Sequence, residues 1–206
     1  MKNIKIFILG APHVGKTSLI HQIVFGPLLS DSLRNQPLPT IEDVYFATFD
    51  NTYLNYGDKN TLVRDDRILF FDVAGIKQNI DIELLRSYIS YADEFILVYS
   101  INNRSTFNLV YTIKKLIDQS KGKRDHPIIA LGNKVDLDNE RQVGFDEALV
   151  WAKRENIKLF EVTSNERGTL SDFTRYLASQ LPANQSHSTS AFKLRRSKTN
   201  QSTSGA

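Results

Sequence analysis

Short apolar runs alternate with segments of helical periodicity through most of the chain. The apolar runs, which have the length of buried strands, lie at residues 4–9, 43–50, 67–72, 94–100, 127–132 and 157–162. The segments with helical spacing of apolar residues lie at 17–25, 103–119, 145–155 and 170–181. Strands that take turns with helices form a mostly parallel sheet that is covered on both faces. The pattern therefore predicts an α/β fold with a six-stranded sheet and helices on both of its faces.

The second and third strands depart from this alternation. The segment between them, residues 52–64, contains the polar turn sequence GDKN at 57–60 and is most simply a long turn. Two strands joined directly by a turn favour an antiparallel pair. We therefore predict one antiparallel strand in an otherwise parallel sheet.

The composition changes near residue 182. Residues 182–206 are rich in Ser, Thr, Asn and Gln and carry four basic residues and no acid. Because the whole chain has 26 basic and 23 acidic residues, residues 1–181 carry a net charge of about −1, and the basic character belongs to the tail. We expect a folded domain at 1–181 and a disordered tail at 182–206, and we expect no nucleic acid partner.

The basic stretch AFKLRRSK at residues 191–198 has three possible roles: a patch at a membrane surface, a cluster resembling a nuclear localisation signal, or a solvated flexible end. Basic side chains contribute only about 1 kcal/mol each near an anionic surface. The chain has no cysteine, which excludes disulfides, thiol catalysis, prenylation and palmitoylation, and Lys2 excludes myristoylation. With no signal pattern and no long apolar run, we expect a cytoplasmic monomer without a stable membrane anchor.

The sequence GAPHVGKT follows the first predicted strand directly and opens the first predicted helix. It matches the P-loop pattern, in which backbone N–H groups and a helix N-terminus surround a phosphate. The spacing assigns Lys16 to the β- and γ-phosphates and the Thr17 hydroxyl to Mg²⁺. The candidate phosphate-binding residues are Gly10, Ala11, Pro12, His13, Val14, Gly15, Lys16, Thr17 and Ser18.

The sequence NKVD at residues 133–136 follows the fifth predicted strand, at the carboxyl edge where open sheets place ligands. A carboxylate there can accept two hydrogen bonds from the N1–H and the exocyclic amine of guanine, a donor pair that adenine lacks. Asp136 is therefore the candidate that selects guanine. Asn133 would be a second polar contact, and the stem of Lys134 would pack against the ring and ribose.

With these two motifs in place, the chain resembles a small GTPase of the Ras superfamily. GAPHVGKT, PTIEDVY at 39–45, DVAG at 72–75, NKVD and EVTS at 161–164 occur in the order of that family, over residues 1 to about 181. The resemblance implies a P-loop G domain that binds GTP or GDP with Mg²⁺. It implies roles for five further residues: Thr40 as the switch residue that binds Mg²⁺, Asp72 as a Mg²⁺ ligand through water, Gly75 as a γ-phosphate contact, and Thr163 and Ser164 as backbone contacts of guanine.

Two positions depart from the family pattern. Ile76 stands where family members have a glutamine that orients the attacking water, and Pro12 stands where they have glycine. The proline ring lacks an N–H and projects where a partner's arginine would enter. Because partner-stimulated hydrolysis by Ras amounts to roughly 10⁵-fold, or about 7 kcal/mol of barrier, we predict slow and poorly stimulated hydrolysis.

The first switch, residues 25–39, is longer than in typical members. The family aromatic that packs edge-on against guanine has no certain equivalent among Leu28, Leu29 and Leu33. Weaker retention of the nucleotide is one consequence. The alternative is that Phe25 or one of these leucines takes that role.

Within the superfamily, the chain is most similar to the κB-Ras subfamily. The similarity rests on EDVY at 42–45, YADEFILVYSINN at 91–103, GNKVDL with ERQV, EVT at 161–163, the substitutions at Pro12 and Ile76, and the absence of a prenylation cysteine. The resemblance implies a regulator of NF-κB signalling that binds the inhibitor IκB and limits its degradation, and an association with the Ral GTPase-activating complex. A protein effector would bind through the switch regions.

Three hypotheses about activity stay open at this point. The first is a regulatory GTP-binding module that rarely hydrolyses its nucleotide. The second is an ordinary cycling GTPase in another signalling or trafficking pathway, in which His13 or Gln78 positions the water. The third, a scaffold that binds no nucleotide, is disfavoured because all the binding residues are present: Lys16, Thr17, Thr40, Asp72 and Asp136.

Overall fold

The computed structural model describes residues 3–26, 40–48, 67–77, 79–120 and 126–180. The predicted turn at 52–64, most of the first switch with its three leucines, Gln78 and the tail lie outside these residues. The described part forms six strands and five α-helices: β1 (Asn3–Gly10), α1 (Lys16–Val24), β2 (Glu42–Thr48), β3 (Arg67–Val73), α2 (Ile82–Tyr91), β4 (Glu94–Ser100), α3 (Arg104–Ser120), β5 (Ile128–Asn133), α4 (Phe145–Arg154), β6 (Lys158–Glu161) and α5 (Ser171–Gln180). Short 3₁₀ helices occupy Val135–Glu140 and Arg167–Leu170.

All six strands belong to one sheet with the order β2-β3-β1-β4-β5-β6. Four of the five neighbouring pairs are parallel, and β2 pairs antiparallel with β3. This arrangement confirms the predicted α/β fold, including its single antiparallel strand. It also leaves β2 at one edge of the sheet.

Both faces of the central strand β1 are buried. Phe7 stacks on Phe71 of β3 with ring centroids 4.5 Å apart and lies 5.3 Å from the ring of Tyr88 on α2. Ile6 and Ile8 point to the opposite face and are also buried. Because each face is covered, an alternating polar pattern is absent from the second half of β1, residues 6–10, and from β4, whose seven residues are all buried.

Helix α2 is the one described α-helix that the apolar pattern did not predict. Its sequence, IELLRSYISY, mixes positions at strand spacing with positions at helix spacing. The structure buries only Leu85 and Ile89, and it caps the helix with Asp81, whose carboxylate accepts a hydrogen bond from the Leu84 N–H at 3.0 Å. A cap of this kind was the signal available in the sequence.

The topology brings the candidate motifs to one edge of the sheet. Strands β1, β3, β4, β5 and β6 all run in the same direction, so their carboxyl ends lie at the same edge of the sheet. Those ends carry GAPHVGKT, DVAG, NKVD and EVTS in turn. Within the described residues, no helix combines the length and the apolar content that crossing a membrane requires.

Candidate functional site

The loop between β1 and α1 requires glycine at its end. Gly15 has φ of 91°, in the left-handed region, and a Cβ there would lie 2.4 Å from Nδ2 of Asn133. A larger residue would therefore meet both backbone strain and a collision. In the same loop Ala11 and Val14 are buried, whereas Pro12 and His13 are exposed at its tip. Ser18 is exposed in the first turn of α1.

Lys16 lies along the inside of this loop. Its Nζ donates hydrogen bonds to the carbonyl oxygens of Gly10 at 3.3 Å and Ala11 at 3.2 Å, and the side chain is 7% exposed. Burial lowers the pKa of Lys16, although the charge of Asp72 opposes the shift. A cation at the first residue of a helix opposes the helix dipole. A buried ammonium group in this position therefore fits a loop that holds an anion.

Three oxygen atoms from distant parts of the chain meet beside this lysine. The Thr17 hydroxyl lies 2.9 Å from the Thr40 hydroxyl and 2.5 Å from Oδ2 of Asp72, and the Thr40 hydroxyl lies 3.5 Å from the same oxygen. The chain separations are 23 and 55 residues from Thr17. The fold thus brings the side-chain oxygens of Thr17, Thr40 and Asp72 together.

Asp72 is the acidic member of this group and is fully buried. Its Oδ1 has no hydrogen-bond partner among the residues that the structure describes. Burial raises the pKa of Asp72, against the opposing effects of the Thr17 hydrogen bond and the Lys16 charge. Hydroxyl and carboxylate oxygens are the ligands that Mg²⁺ prefers. The unpartnered oxygen and the chemistry of these three groups fit a magnesium ion with its bound water.

The segment after β3 lies directly against the phosphate loop. A Cβ on Gly75 would lie 2.5 Å from both the backbone N and the Cα of Pro12, so only glycine allows this approach. The Ile76 N–H donates to the Gly10 carbonyl at 2.9 Å, and the Ala74 N–H donates to the Ile41 carbonyl at 3.0 Å. The Ile76 side chain is half-buried and packs against the hydrophobic core. Backbone hydrogen bonds therefore join the segment after β3 both to the phosphate loop and to the residue before β2.

Asn133 connects the loop after β5 to the phosphate loop. Its Nδ2 donates to the Val14 carbonyl at 2.7 Å, and its Oδ1 is buried without a partner in the described part of the chain. The next residue, Lys134, has φ of 70°, which turns the chain sharply after the strand. The half-buried Lys134 side chain and the unpartnered amide oxygen of Asn133 fit the side of a bound purine.

Both carboxylate oxygens of Asp136 accept hydrogen bonds. Oδ1 accepts from the Thr163 hydroxyl at 2.5 Å, and Oδ2 accepts from Nδ2 of Asn165 at 2.8 Å. Partial burial raises the pKa of Asp136, but the hydrogen bonds from Thr163 and Asn165, a backbone hydrogen bond and the charge of Lys134 together hold the pKa below its usual range. The carboxylate is exposed, ionised and held by two neighbours, which suits an acceptor of paired N–H donors.

Two residues of this region escaped the sequence reasoning. Asn165 directly follows the EVTS motif, and its position there was the available signal. Gln22 lies in the middle of α1, where polar residues usually face water, yet it is buried and donates to the Ser164 carbonyl at 3.1 Å. The bond joins the helix of the phosphate loop to the segment that contains Thr163 and Ser164.

A cluster of three rings attaches β2 to α1. His21, Phe25 and Tyr45 have ring centroids 5.1 to 6.1 Å apart in edge-on arrangements. The Tyr45 hydroxyl donates to Asp43 at 3.0 Å and lies 3.0 Å from Nε2 of His21, which must then donate to it. Burial and the Asp43 hydrogen bond raise the pKa of Tyr45 to about 12. In the structure, Phe25 therefore packs within this cluster.

Glu161, the first residue of EVTS, holds the ERQV segment. Both of its carboxylate oxygens pair with the guanidinium of Arg141, at 2.7 and 2.9 Å. Arg141 also contacts Asp138 of the 3₁₀ helix at 2.6 Å. This ion pair connects the chain after the NKVD motif to strand β6 and so supports the loop that carries Asp136.

Comparisons with known proteins agree with this geometry. The model of the Ras family matches residues 5–182. The chain is 37% identical over 199 residues to NF-kappa-B inhibitor-interacting Ras-like protein 1 of Mus musculus, covering 97% of this chain and 96% of the relative. It is 36% identical over 195 residues to NF-kappa-B inhibitor-interacting Ras-like protein 2 of Homo sapiens, covering 95% and 94%. It is 34% identical over 197 residues to protein 1 of Danio rerio, covering 96% and 95%.

The match spans every motif that the fold brings to the carboxyl edge of the sheet. It includes the phosphate loop, the three oxygen atoms beside it and the loops that carry Asn133 and Asp136. Because the family model and the relatives cover nearly the whole length, the similarity extends beyond the motifs to the complete domain. This chain belongs to the Ras family and is similar to the NF-κB inhibitor-interacting Ras-like small GTPases.

Proposed function

We propose that this protein is a GTP-binding switch of the κB-Ras type that binds GTP and GDP with Mg²⁺. The observation that carries the proposal is the meeting of the Thr17, Thr40 and Asp72 oxygens beside the buried Lys16. These groups come from the start of α1, the residue that directly follows the first switch, and the end of β3. A cation that binds all three couples the position of the first switch to the nucleotide.

In this proposal each half of the site holds one part of the nucleotide. The backbone N–H groups of the loop from Gly10 to Thr17 and the Lys16 ammonium hold the phosphates, while Asn133, Asp136 and the backbone of Thr163 and Ser164 hold guanine. Thr17 and Thr40 would bind Mg²⁺ directly, and Asp72 through water. The bound ion would neutralise phosphate charge. The Gly75 N–H would contact the γ-phosphate, and the binding domain would comprise residues 1–181, with 182–206 as a tail outside it.

Competition binding tests this assignment. Fluorescent GDP bound to the protein is displaced by GDP, GTP, ADP or ATP in the presence and absence of Mg²⁺. We expect guanine nucleotides to displace the probe at concentrations at least about a thousandfold lower than adenine nucleotides. Adenine lacks the paired N–H donors that the Asp136 carboxylate would accept. Thr17→Asn is expected to weaken GTP binding, and equal competition by ATP would contradict the proposal.

We infer that hydrolysis is slow. Ile76 offers no hydrogen bond to water, and its side chain packs against the core. Pro12 lies against Gly75, where a partner's arginine would have to approach. Because both groups that normally lower the barrier are affected, little of the roughly 10⁵-fold stimulation known for Ras is accessible.

Single-turnover cleavage of GTP tests this inference. Wild type, Ile76→Gln, Pro12→Gly and the double variant are compared with and without an activating partner of the family. We expect the double variant to be faster than either single variant, because the glutamine needs space that the contact of Pro12 with Gly75 restricts. A wild-type rate within a few-fold of ordinary activated family members would overturn the inference.

The alternative is a cycling GTPase that positions water by another group. The observation that favours this alternative is the position of His13. Its side chain is exposed at the tip of the phosphate loop, and its backbone φ is 62°. The nucleotide that copurifies with the protein separates the two functions. Predominantly GTP supports slow hydrolysis, whereas predominantly GDP supports the cycling enzyme, and His13→Ala would then slow the reaction.

We further propose that the partner is an inhibitor of NF-κB, as in the names of the relatives, and that β2 is part of the surface it contacts. This strand lies at the sheet edge, close to the switch residue Thr40, and it exposes Val44 to 39% and Phe46 to 65%, two positions that share one face of the strand. Contiguous exposed apolar side chains at an edge strand mark an interaction surface. The resemblance extends this proposal to the Ral GTPase-activating complex, to a cytoplasmic location and to a monomer.

A pull-down with IκB tests the partner and its dependence on the nucleotide. Phe46→Ser is expected to weaken capture, while Phe145→Ser, a change at an exposed phenylalanine on α4, is the matched control. Thr17→Asn reports whether the nucleotide state matters. If Phe46→Ser and Phe145→Ser are captured equally well, β2 is not the contact surface, and if Thr17→Asn is also indifferent, the partner does not read a nucleotide switch.

A further inference from the structure

Asn165 is exposed, yet its side chain is hydrogen-bonded to Asp136. Its Nδ2 donates to Oδ2 of Asp136 at 2.8 Å, while its backbone N–H donates to the Thr163 hydroxyl at 3.1 Å. That hydroxyl in turn donates to Oδ1 of Asp136 at 2.5 Å. The amide oxygen of Asn165 cannot replace the nitrogen here, because it would face a carboxylate that only accepts hydrogen bonds.

These contacts set the orientation of the Asp136 carboxylate. The terminal torsion of an aspartate is broad and roughly two-fold, so a carboxylate at the surface normally rotates. A carboxylate has about four acceptor positions, two on each oxygen. Thr163 takes one on Oδ1 and Asn165 takes one on Oδ2, so neither hydrogen bond fills an oxygen. A carboxylate held in this way can accept two parallel N–H donors at once.

The Thr163 half of this arrangement is anchored and the Asn165 half is not. Thr163 is buried, and its own backbone N–H donates to the Thr169 hydroxyl at 2.9 Å. Asn165 reaches Oδ2 from the exposed side of the loop. Loss of the Asn165 amide therefore leaves Asp136 attached at one oxygen and free to turn about that bond.

We propose that Asn165 is a positioning residue that makes Asp136 a two-point acceptor, and that it thereby sets the preference for guanine over hypoxanthine, the base that lacks the exocyclic amine. This inference rests on the proposed guanine nucleotide binding. Hypoxanthine retains N1–H and the 6-oxo group, so it needs only one acceptor on the carboxylate. Guanine needs both acceptors in one plane.

A merely structural hydrogen bond predicts a different outcome. If Asn165 only stiffens the loop, its removal loosens the site for every purine and weakens GDP and IDP by the same factor. If it orients Asp136, its removal weakens GDP more than IDP. The ratio of the two dissociation constants therefore separates a positioning role from loop stabilisation.

The experiment measures dissociation constants for GDP and IDP by competition with fluorescent GDP at pH 7.5 and fixed Mg²⁺. The proteins are wild type, Asn165→Ala, Asn165→Gln and the control Asn108→Ala, which changes an exposed asparagine on α3. We expect Asn165→Ala to weaken GDP by about tenfold, as for the loss of one charged hydrogen bond, and IDP by no more than about threefold. Asn165→Gln, which retains the amide donor, is expected to restore part of the ratio.

Equal weakening of GDP and IDP by Asn165→Ala, or no weakening of either, would overturn the inference. A wild-type protein that binds GDP no better than ADP would instead overturn the proposed nucleotide specificity, so the two failures are distinguishable. Thermal melting without nucleotide checks that Asn165→Ala and the control fold alike.

Discussion

Replacement of Glu94 by Gln is expected to stabilise the protein at alkaline pH and to have a much smaller effect at pH 5. Glu94 is the first residue of β4, pairs with Ile6 of β1 and is 6% exposed. Its Oε1 is buried without a hydrogen-bond partner among the described residues, and burial raises its pKa from 4.5 to about 7. Burial raises the pKa of Tyr176 on α5, and the charge of Glu94 raises it further, so the Tyr176 ring lies near Glu94.

The magnitude follows from the difference in pKa between the folded and unfolded states. Each pKa unit corresponds to about 1.4 kcal/mol, so ionising Glu94 in the folded protein costs about 3 kcal/mol relative to the unfolded chain. Below pH 4.5 the carboxyl is protonated in both states and the cost is absent. It grows as the pH rises and is complete above the folded pKa of about 7. Glutamine has nearly the same shape and never ionises.

Urea unfolding at pH 5, 6, 7 and 8.5, with GDP and Mg²⁺ fixed, measures the difference between wild type and Glu94→Gln. The contribution of bound nucleotide is the same for both proteins and cancels. We expect the variant to gain up to about 3 kcal/mol at pH 8.5. Glu83→Gln, at an exposed acid in the first turn of α2, is the control and should show only a small loss, because a carboxylate is favourable there. A difference that stays constant with pH would refute the reasoning.

Three further predictions concern the nucleotide site. Gly15→Ala is expected to destabilise the protein by at least about 1–2 kcal/mol from its positive φ alone, measured by thermal melting, and to abolish binding of fluorescent GDP; normal binding would show that the loop can rearrange. Removal of Mg²⁺ with EDTA is expected to accelerate GDP release, measured by stopped flow. Asp72→Asn is expected to raise about tenfold the Mg²⁺ concentration that is needed to slow this release. An unchanged Mg²⁺ requirement would exclude Asp72 from the metal site. Tyr45→Phe retains the ring but loses the hydrogen bonds to Asp43 and His21, so we expect the free energy of unfolding in urea to fall by about 1 kcal/mol. A fall as large as that of Tyr45→Ala would contradict this expectation, because the retained ring would then contribute nothing.

The fold and the approximate position of the site could be predicted because they depend on local patterns. Runs of buried residues report strands regardless of which strand is their neighbour. The rule that parallel strands end at one edge then places GAPHVGKT, NKVD and EVTS together without knowledge of any side-chain contact. Motifs whose chemistry depends on the backbone of one loop, as around Gly15, are visible for the same reason.

The remaining parts could not be predicted because they depend on contacts between distant segments. The bond between Gln22 and Ser164 spans 142 residues, and nothing in the pattern around either residue indicates it. The ring cluster of His21, Phe25 and Tyr45 needs the register between β2 and α1. Helix α2 was missed because only Leu85 and Ile89 of its apolar residues are fully buried. Tyr88 is half-buried against the core, and the others are exposed: Ile82, Leu84 and Tyr91.

The contacts between the two halves of the site explain how the proposed nucleotide binding is compatible with the proposed slow hydrolysis. Asn133 joins the base loop to the Val14 carbonyl of the phosphate loop, and Gln22 joins the α1 helix to the Ser164 carbonyl. Neither bond involves the position after Gly75, where the family glutamine is replaced by Ile76. In this proposal, nucleotide binding and the positioning of water depend on separate residues, so Ile76 would impair the second without disturbing the first.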